Sequence, residues 1–353
     1  MAINDRQPGR FEAATDPLRR EMLAHCYRMT GSLQDAEDLV QETYLRAWRA
    51  FDRFESRSSV RTWLYRIATN ACLTFLTGAP RRSLPSGLVP PSSDPYGPAV
   101  PSSSDVSWLE PVPDTLVIDE RADPATVTAA RQSVRLALVA AAQILPPRQR
   151  AAFFLCDILD QSGAEAAEVL GISVPALKSL LQRARARLNQ QTIGDEQFAE
   201  PTDKRARSVL DRYMAAFEQS DIAAIERLLA DDAILEMTGA ATWFSGKATC
   251  VPFIATQAIG PPGTWRMFPL HVNGQLGAAA YLLAEDGSYH PYGIAVLATT
   301  LTHLSRISLF AEPMLPKRYG KFGVNARSSP VGLSSLGKYA LSHEAAGANP
   351  VEG

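Results

Sequence analysis

The sequence has only four cysteines, and no two of them lie close together along the chain. Cys26, Cys72, Cys156 and Cys250 include no CxxC pair, the spacing that many zinc sites and redox motifs share. This distribution argues against a zinc-binding module and against a disulfide framework. It favours a protein of a reducing compartment, and we expect it to need neither a metal nor a cofactor.

The sequence also lacks a large net charge and a long apolar run. Its 353 residues carry a formal net charge of -2 at pH 7, so the chain as a whole is not a basic nucleic-acid binder. Any DNA-facing surface must therefore be local. The N-terminal MAINDRQPGRFEAATDP is polar, without the apolar core of a secretory signal, and no apolar stretch is long enough to span a bilayer. These absences predict a cytoplasmic protein with no membrane partner.

Composition divides the chain into patterned blocks joined by polar segments. Apolar residues follow a helical period from Asp16 to about Leu76, and again from Pro124 to Gln191. Between these blocks proline, serine, glycine and aspartate dominate, as in PRRSLPSGLVPPSSDPYGPAVPSSS. Such a stretch buries too little apolar surface to offset the ordering of its backbone, so we predict a linker. A chain of this length is expected to form two or three domains.

The first block contains an amphipathic helix with a sorted distribution of charge. Ser32 precedes Asp35 by three residues, the spacing of a capping-box start. Apolar residues then recur every three or four positions from Ala36 to Phe51, Trp48 among them. Acidic residues occupy the N-terminal half and arginines the C-terminal half, which suits the helix dipole. The pattern fits a solvated helix and a partner-docking helix equally well.

A second helix in this block interleaves aromatic and basic side chains. Trp63, Arg61, Arg66 and Asn70 fall partly off its apolar stripe. Rings that stack on bases, beside cations that meet phosphates, suit single-stranded nucleic acid. A tryptophan buried in a core explains the same spacing, and the pattern by itself favours that explanation.

The second block has the spacing of a helix–turn–helix. Ser162 and Glu165 form a second capping-box pattern, Gly171 lies at the turn, and Ser173 precedes the next helix. That helix is predicted to bury Val174, Leu177, Leu181, Ala184 and Leu188. It contains no acidic residue and four basic ones, Lys178, Arg183, Arg185 and Arg187. A capped basic helix after a tight turn is the element that enters a major groove, so DNA binding is favoured over a plain helical hairpin.

The third block begins with a long amphipathic helix, Ala206 to Ala230, and continues as short apolar runs broken by glycine and proline. This order predicts a helix packed on a curved antiparallel sheet. The candidates for an acid–base residue are Asp232, His271, His290 and His303. No pair among them has a spacing that requires acid–base chemistry, so a domain without catalytic activity is favoured.

Three segments resemble parts of one known family. DAEDLVQETYLRAWRAFDRF followed by RTWLYRIATNACL resembles region 2 of the extracytoplasmic-function sigma factors, within the sigma-70 family. LPPRQRAAFFLCDIL and SGAEAAEVLGISVPALKSLLQRARARL together resemble region 4 of the same family. The stretch from Ala206 to Pro316 looks like a SnoaL-like domain of the NTF2 superfamily, which some of these sigma factors carry at the C-terminus. The resemblance implies a multidomain protein with two all-α helical domains and a C-terminal α+β NTF2-like cone.

The resemblance also implies domain boundaries. It places sigma region 2 at residues 12–80, a Pro/Ser-rich linker at 81–123, sigma region 4 at 124–191, the SnoaL-like domain at 203–316 and a flexible tail at 321–353. In the family, region 2 binds the polymerase and the minus-ten element, while region 4 reads the minus-thirty-five element. The connector between them can thread through the enzyme.

Functional residues follow from the same motifs, position by position. The implied contacts to RNA polymerase core are Asp35, Asp38, Gln41 and Glu42. The implied contacts to the melted promoter are Arg61, Trp63, Arg66 and Asn70. The implied groove-facing residues of region 4 are Pro175, Ala176, Lys178, Ser179, Gln182 and Arg183.

The resemblance therefore implies a transcription initiation factor rather than an enzyme, with RNA polymerase core and promoter DNA as partners. The C-terminal domain is expected to tune its activity, through intramolecular contact or through a small ligand. Two other hypotheses remain open at this stage: a cyclase or isomerase whose helical part only regulates it, and a helix–turn–helix repressor that acts without polymerase. Both leave the DAEDLVQETYLRAW helix unexplained.

Overall fold

The computed structural model describes residues 7–55, 58–190 and 200–320. The described residues form two compact units, one with residues 7–55, 58–83, 107–190 and 271–274, the other with residues 84–106, 200–270 and 275–320. The segment predicted as a tail, 321–353, lies outside the described residues. Among those that are described, no helix combines the length and the apolar character that a membrane span requires.

The first unit is helical, with one short parallel ladder. Its elements are α1 (Gln7–Thr15), α2 (Arg19–Thr30), α3 (Leu33–Ala50), α4 (Val60–Phe75), β1 (Arg82–Ser83), β2 (Ser107–Trp108), α5 (Asp114–Val117), α6 (Pro124–Val134), α7 (Leu136–Ala142), α8 (Pro147–Phe153), α9 (Gly163–Leu170) and α10 (Val174–Leu188). The β1 and β2 strands pair in parallel. Both predicted all-α modules lie within this unit.

Local sequence sets the start of α3. Gly31 ends α2 in the left-handed conformation, with φ of 72°, which a side chain would disfavour. The Ser32 hydroxyl then accepts a hydrogen bond from the Asp35 amide at 3.1 Å. This bond satisfies one of the amide groups that a helix leaves free at its first turn, and it confirms the predicted helix start.

The helix–turn–helix is built in the same way. Ser162 and Glu165 form a complete capping box at the start of α9, in which each side chain bonds the backbone of the other residue. Gly171 ends α9 with φ of 61°, and the Ser173 hydroxyl accepts a hydrogen bond from the Ala176 amide at the start of α10. The predicted turn is therefore confirmed at each of its three local signals.

A buried arginine joins the two helical modules. Arg150 on α8 is buried, and its guanidinium donates hydrogen bonds to four backbone carbonyls and one side-chain oxygen. The acceptors are the carbonyls of Met29, Ala142, Gln143 and Leu145 and the Gln143 Oε1. Met29 lies near the end of α2, whereas the other acceptors lie at the end of α7 and in the turn after it. The guanidinium therefore fixes the turn between α7 and α8 against the last turn of α2.

The second unit is a helix packed on a six-stranded sheet. Its elements are β3 (Leu229–Thr238), β4 (Trp243–Ser245), β5 (Trp265–Val272), β6 (Gln275–Leu283), β7 (Tyr289–Thr299) and β8 (Leu304–Phe310), with α11 (Lys204–Gln219), α12 (Ile222–Leu228), α13 (Lys247–Phe253) and α14 (Leu315–Arg318). The strand order is β4-β3-β8-β7-β6-β5. Side chains of α11, α12 and the inner sheet face form one apolar core. The expected fold class, helical domains followed by an α+β cone, is confirmed.

One detail of the sheet differs from the prediction. The sheet was expected to be antiparallel throughout, but β3 and β8 pair in parallel, Leu235 with Ile307 and Met237 with Leu309. Parallel neighbours need a long connection between them, and the chain from β3 to β8 supplies one, through β4, α13 and the hairpins of β5 to β7. Alternation of apolar residues gives the face of a strand but not the direction of its neighbour.

Replacing Arg150 by methionine tests whether this guanidinium holds the first unit together. Methionine keeps the apolar stem of arginine but is shorter and donates no hydrogen bond, so four buried carbonyls lose their donor. We expect the free energy of unfolding of the full chain to fall by about 3 kcal/mol or more. Urea unfolding followed by the helical circular dichroism signal measures this change. Arg148→Met, at an exposed neighbouring position on α8, serves as the control and should change stability little. An equal loss in both variants would contradict the assignment.

Candidate nucleic-acid and partner-binding surfaces

The acidic residues of α3 lie opposite its buried stripe. Leu33, Ala36, Leu39, Val40, Thr43 and Ala47 are buried. The spacing of three and four residues places Asp35, Asp38, Gln41 and Glu42 together on another face. Asp38 and Gln41 are exposed, whereas Asp35 and Glu42 are half-buried. All four predicted core-binding residues therefore share one accessible face.

Two of the three carboxylates on this face already have basic partners. The Asp35 carboxylate accepts from the Arg82 guanidinium at 2.8 Å, and Arg82 also reaches Glu110 at 3.3 Å. Glu110 in turn accepts a hydrogen bond from the Leu33 amide at 3.0 Å, so it completes the cap at the start of α3. Glu42 pairs with Arg46 one turn further on at 2.5 Å. Among the described residues, Asp38 and Gln41 form the part of this face with no hydrogen-bond or ion-pair partner.

Two apolar side chains beside this face were not identified from the sequence. Leu45 is 52% exposed and Trp48 is 42% exposed. The periodicity placed Trp48 on the buried stripe, but its ring, which meets that of Phe11 edge to face at a centroid distance of 5.2 Å, stays exposed. A helical period gives the face on which a side chain lies but not how completely a neighbouring element covers it. An exposed leucine and tryptophan beside acidic groups are typical of a partner-binding surface.

The four predicted promoter residues of α4 differ in accessibility. Arg66 and Asn70, one turn apart, are both exposed. Arg61 is exposed, but its guanidinium pairs with the Glu21 carboxylate at 2.5 Å. Trp63 is half-buried, and its ring lies 4.8 Å from that of Phe54 and 6.2 Å from that of Phe51. The structure thus brings Arg66 and Asn70 to an open face, pairs Arg61, and holds Trp63 in a partly accessible aromatic cluster.

The recognition-helix candidates of α10 form one exposed surface. Pro175, Ala176, Lys178, Ser179, Gln182 and Arg183 are all exposed. Leu177, Ala184 and Leu188 are buried on the opposite side, as predicted, and Leu181 is half-buried. Val174 was expected to be buried as well, but it is 37% exposed. Its neighbour across the turn is Gly163, which has no side chain to cover it.

Charge on α10 is sorted along its length. The Arg185 guanidinium forms a two-point ion pair with the Asp157 carboxylate, at 2.6 and 2.9 Å. Arg183 donates to the Ser179 hydroxyl at 2.7 Å. Within the described residues, Lys178 and Arg187 have no carboxylate at ion-pair distance. The first half of α10 therefore presents unpaired positive charge and polar groups, the combination that phosphate and base-edge contacts require.

The second unit encloses an apolar cavity, away from the candidate acid–base residues. Within the described chain, no acidic, basic or histidine side chain lines this cavity. Asp232, His271 and His303 are exposed, and the His290 ring is held by the Ser288 hydroxyl at 2.8 Å. The described part of the chain contains no group of three His, Cys, Asp or Glu residues that could hold a metal ion. Acid–base catalysis in the cone therefore finds no support in its geometry.

Residues 84–106, the central part of the predicted linker, belong to the second unit, where backbone hydrogen bonds hold them along β3 and β4. Ser86 donates from its amide and its hydroxyl to the Glu236 carboxylate, at 3.3 and 2.7 Å. The Trp243 indole donates to the Val89 carbonyl at 2.7 Å. Further along, bonds at 2.7 to 3.0 Å join Ser92 to Trp243, Val100 to Ala241 and Thr242, and Ser102 to Gly239.

Glu236 is the strongest of these anchors. It is 1% exposed, and besides Ser86 it accepts from Arg306 at 3.0 Å and from Ser308 at 2.8 Å. A buried carboxylate is stable only when its oxygens are paired, and here Ser86 supplies two of the four bonds. The linker therefore completes the environment of a buried charge, a contact that its polar composition did not suggest.

Comparison with known proteins covers most of the chain. Residues 16–82 match the family model Sigma-70 region 2, and residues 135–188 match Sigma-70, region 4. The ECF RNA polymerase sigma factor SigG of Mycobacterium tuberculosis is 48% identical over 320 residues, which cover 90% of this chain and 85% of the relative. SigJ of the same organism is 31% identical over 304 residues, or 82% of this chain and 86% of the relative. The crystal structure of that SigJ matches with a TM-score of 0.53 at 25% identity, covering 86% of this chain and 96% of the other.

Proposed function

The chain belongs to the extracytoplasmic-function family of RNA polymerase sigma factors, and from this membership we propose which of its surfaces contact the polymerase and which contact the promoter. It is a transcription initiation factor and not an enzyme, and its partners are RNA polymerase core and promoter DNA. This identity replaces the cyclase and repressor hypotheses. The observation that carries the finer assignment is the surface of α10, where six polar, small or basic residues are exposed together.

The polymerase contact is assigned to the acidic face of α3. Asp38 and Gln41 are accessible in the free chain, and Glu42 and Asp35 become available when Arg46 and Arg82 turn to other partners. Leu45 and Trp48 extend the same surface with apolar area. Acidic groups then provide orientation, while the leucine and tryptophan provide area to bury, as in other partner-binding surfaces.

The minus-ten element is assigned to α4. Arg66 and Asn70 lie one turn apart, so a cation and an amide can meet the same stretch of melted strand. Trp63 keeps part of its ring accessible for stacking on a base. Arg61 is paired with Glu21, so its contact to DNA requires that this surface ion pair open. The Glu21 carboxylate is half-buried and also accepts from the Tyr65 hydroxyl at 2.8 Å, so DNA binding must open a small network at this point.

The minus-thirty-five element is assigned to the first half of α10. Lys178 and Arg183 supply positive charge, and Gln182 and Ser179 supply side-chain donors and acceptors for base edges in a major groove. Pro175 and Ala176 stand at the helix start, where residues of a recognition helix approach the bases. Phosphate contacts from these cations should make promoter affinity fall as salt rises. Because transcription takes place on the chromosome, we infer a cytoplasmic location.

Control in cis is assigned to the linker contacts. The connector between regions 2 and 4 of a sigma factor can thread through the polymerase, and residues 84–106 cannot do so while they are bonded along β3 and β4. We propose that release of this segment from the second unit precedes assembly with core polymerase. The C-terminal domain then regulates the sigma factor by holding its linker.

Run-off transcription with the purified chain, core polymerase and a set of host promoters tests the promoter assignment. We expect transcripts that depend on this protein, and we expect Lys178→Ala and Arg66→Ala to lower them by about tenfold, because one groove or phosphate contact contributes about 1–3 kcal/mol. Lys204→Ala and Arg227→Ala, exposed cations of the second unit, are the matched controls and should leave transcription unchanged. Transcription that is insensitive to both Lys178→Ala and Arg66→Ala would refute the assigned surfaces.

Trp243→Phe tests the linker contacts. Phenylalanine keeps the ring in place but cannot donate to the Val89 carbonyl, so one hydrogen bond of about 1 kcal/mol is lost and the released form should rise about fivefold. Hydrogen exchange at the Ser92, Val100 and Ser102 amides measures release, and the rate of core binding should increase with it. Tyr289→Phe removes a comparable bond to the Gly263 carbonyl elsewhere in the unit and is the control. Faster exchange without faster core binding would contradict control by the linker.

A further inference from the structure

The cavity of the second unit has the size and lining of a site for a small apolar molecule. Its volume is about 180 Å³. For comparison, a dry apolar cavity of about 150 Å³ can bind benzene. Its wall is made by apolar and aromatic side chains with one amide, Gln257, and includes no charged group within the described residues. An ionised ligand would lose its hydration there without gaining a counter-charge, so the occupant must be neutral.

One polar group in the cavity wall lacks a partner. Tyr213 on α11 lines the cavity and is 2% exposed. Within the described chain its hydroxyl has no hydrogen-bond partner, whereas buried tyrosine hydroxyls usually have one. Burial also raises the pKa of Tyr213 above its ordinary range, so the phenol stays protonated. It is therefore available to donate a hydrogen bond to an oxygen of a bound molecule.

Four more aromatic rings line the cavity, among a larger number of aliphatic side chains. Phe217, Phe253, Trp265 and Tyr292 line the cavity together with Tyr213, and the Trp265 and Tyr292 rings meet edge to face at 5.0 Å. Rings arranged in this way pack well against another ring, in offset or edge-on geometry. The lining thus favours a flat aromatic occupant over a compact aliphatic one.

The linker forms part of the same wall. Pro98 and Ala99 line the cavity, and Ala99 packs against the apolar core of the unit. Gln257, also in the wall, donates from its side-chain amide to the Tyr96 carbonyl of the linker at 3.2 Å. A molecule in the cavity would therefore contact the linker, the segment whose release is proposed to precede assembly with polymerase.

From these contacts we propose that the cavity binds a small, uncharged, single-ring aromatic molecule with one carbonyl oxygen, and that this molecule holds the linker on the second unit. Pro98 and Ala99 complete the wall only while the linker is bound, so the molecule has higher affinity for that state. By linkage, occupancy shifts the chain toward the linker-bound state and away from assembly with polymerase. The second half of the proposal rests on the proposed control by the linker, whereas the first half does not.

Acetophenone, a neutral ring with one carbonyl, is the probe for the first half. Titration of the full chain by calorimetry, or by ligand-observed NMR, should show saturable binding at one site. Tyr213→Phe should weaken binding about fivefold to tenfold, because it removes only the donor and no bond within the protein. Tyr289→Phe removes the same atom from a tyrosine outside the cavity wall and should bind as the parent does. Benzoate, of similar size but charged, should not bind.

A cavity-filling variant guards against an indirect effect of Tyr213→Phe. Ala258, half-buried in the wall, can be changed to leucine, and Ala258→Leu should abolish acetophenone binding without lowering the thermal midpoint of the chain. Absence of saturable binding to the parent, or equal binding by the parent, Tyr213→Phe and Ala258→Leu, would overturn the site.

Hydrogen exchange tests the second half without polymerase. Saturating acetophenone should slow exchange at the Ser92, Val100 and Ser102 amides by at least fivefold in the parent and have no such effect in Ala258→Leu. Saturable binding with unchanged linker exchange would overturn the coupling and leave the site standing. Because neither measurement uses promoter or polymerase, failure of the run-off assay would count against the proposed function and not against the cavity.

Discussion

The first unit depends on one buried guanidinium whose partners are carbonyls and not a carboxylate. Burial lowers the pKa of Arg150 to about 10, so the group remains charged at neutral pH although no carboxylate among the described residues pairs with it. Its charge is balanced by dipoles of the carbonyls of Met29, Ala142, Gln143 and Leu145. Those carbonyls converge only when α2, α7 and the turn before α8 end where they do. The two helical modules are thus coupled through backbone geometry, which no single side-chain partner could supply.

The second unit uses the opposite charge for a similar purpose. Glu236 gathers donors from Ser86, Arg306 and Ser308, of which Ser86 is 150 positions away in the chain. In both units a buried charge is satisfied by groups far apart in sequence, so its environment exists only in the folded arrangement. The two buried charges differ in which parts of the chain they hold together. The Arg150 contacts join the two helical modules to each other, whereas the Glu236 contacts hold the segment that the proposed control in cis requires to be released.

Local signals in the sequence predicted local structure well. Ser32, Ser162, Gly171 and Ser173 act within four residues, so their chemistry fixes the helix starts and the turn without help from distant parts of the chain. The α+β class of the third block followed equally from its order of apolar runs. The parallel pairing of β3 with β8 did not, because it depends on where a strand meets a neighbour about 70 residues away. The exposure of Val174 depends likewise on its neighbour across the turn, Gly163, which has no side chain. The exposure of Trp48 has no sequence signal either.

The candidate site shows the same contrast between local features, which the sequence predicted, and contacts between distant residues, which it did not. Motifs gave the residue types of α3, α4 and α10, and periodicity gave their faces. The pairing of Arg61 with Glu21 joins positions 40 apart and has no sequence signal.

The linker shows most clearly where the sequence failed to predict a long-range contact. Six prolines among residues 84–106 made it resemble a segment without fixed structure. Yet proline also restricts the conformations of the released chain. A proline-rich segment therefore loses less conformational entropy on binding than a glycine-rich segment does. Most of the side-chain hydrogen bonds that hold the linker are partly buried and end on groups of the second unit. A composition that opposes a core of its own thus suits a segment that binds a neighbouring surface.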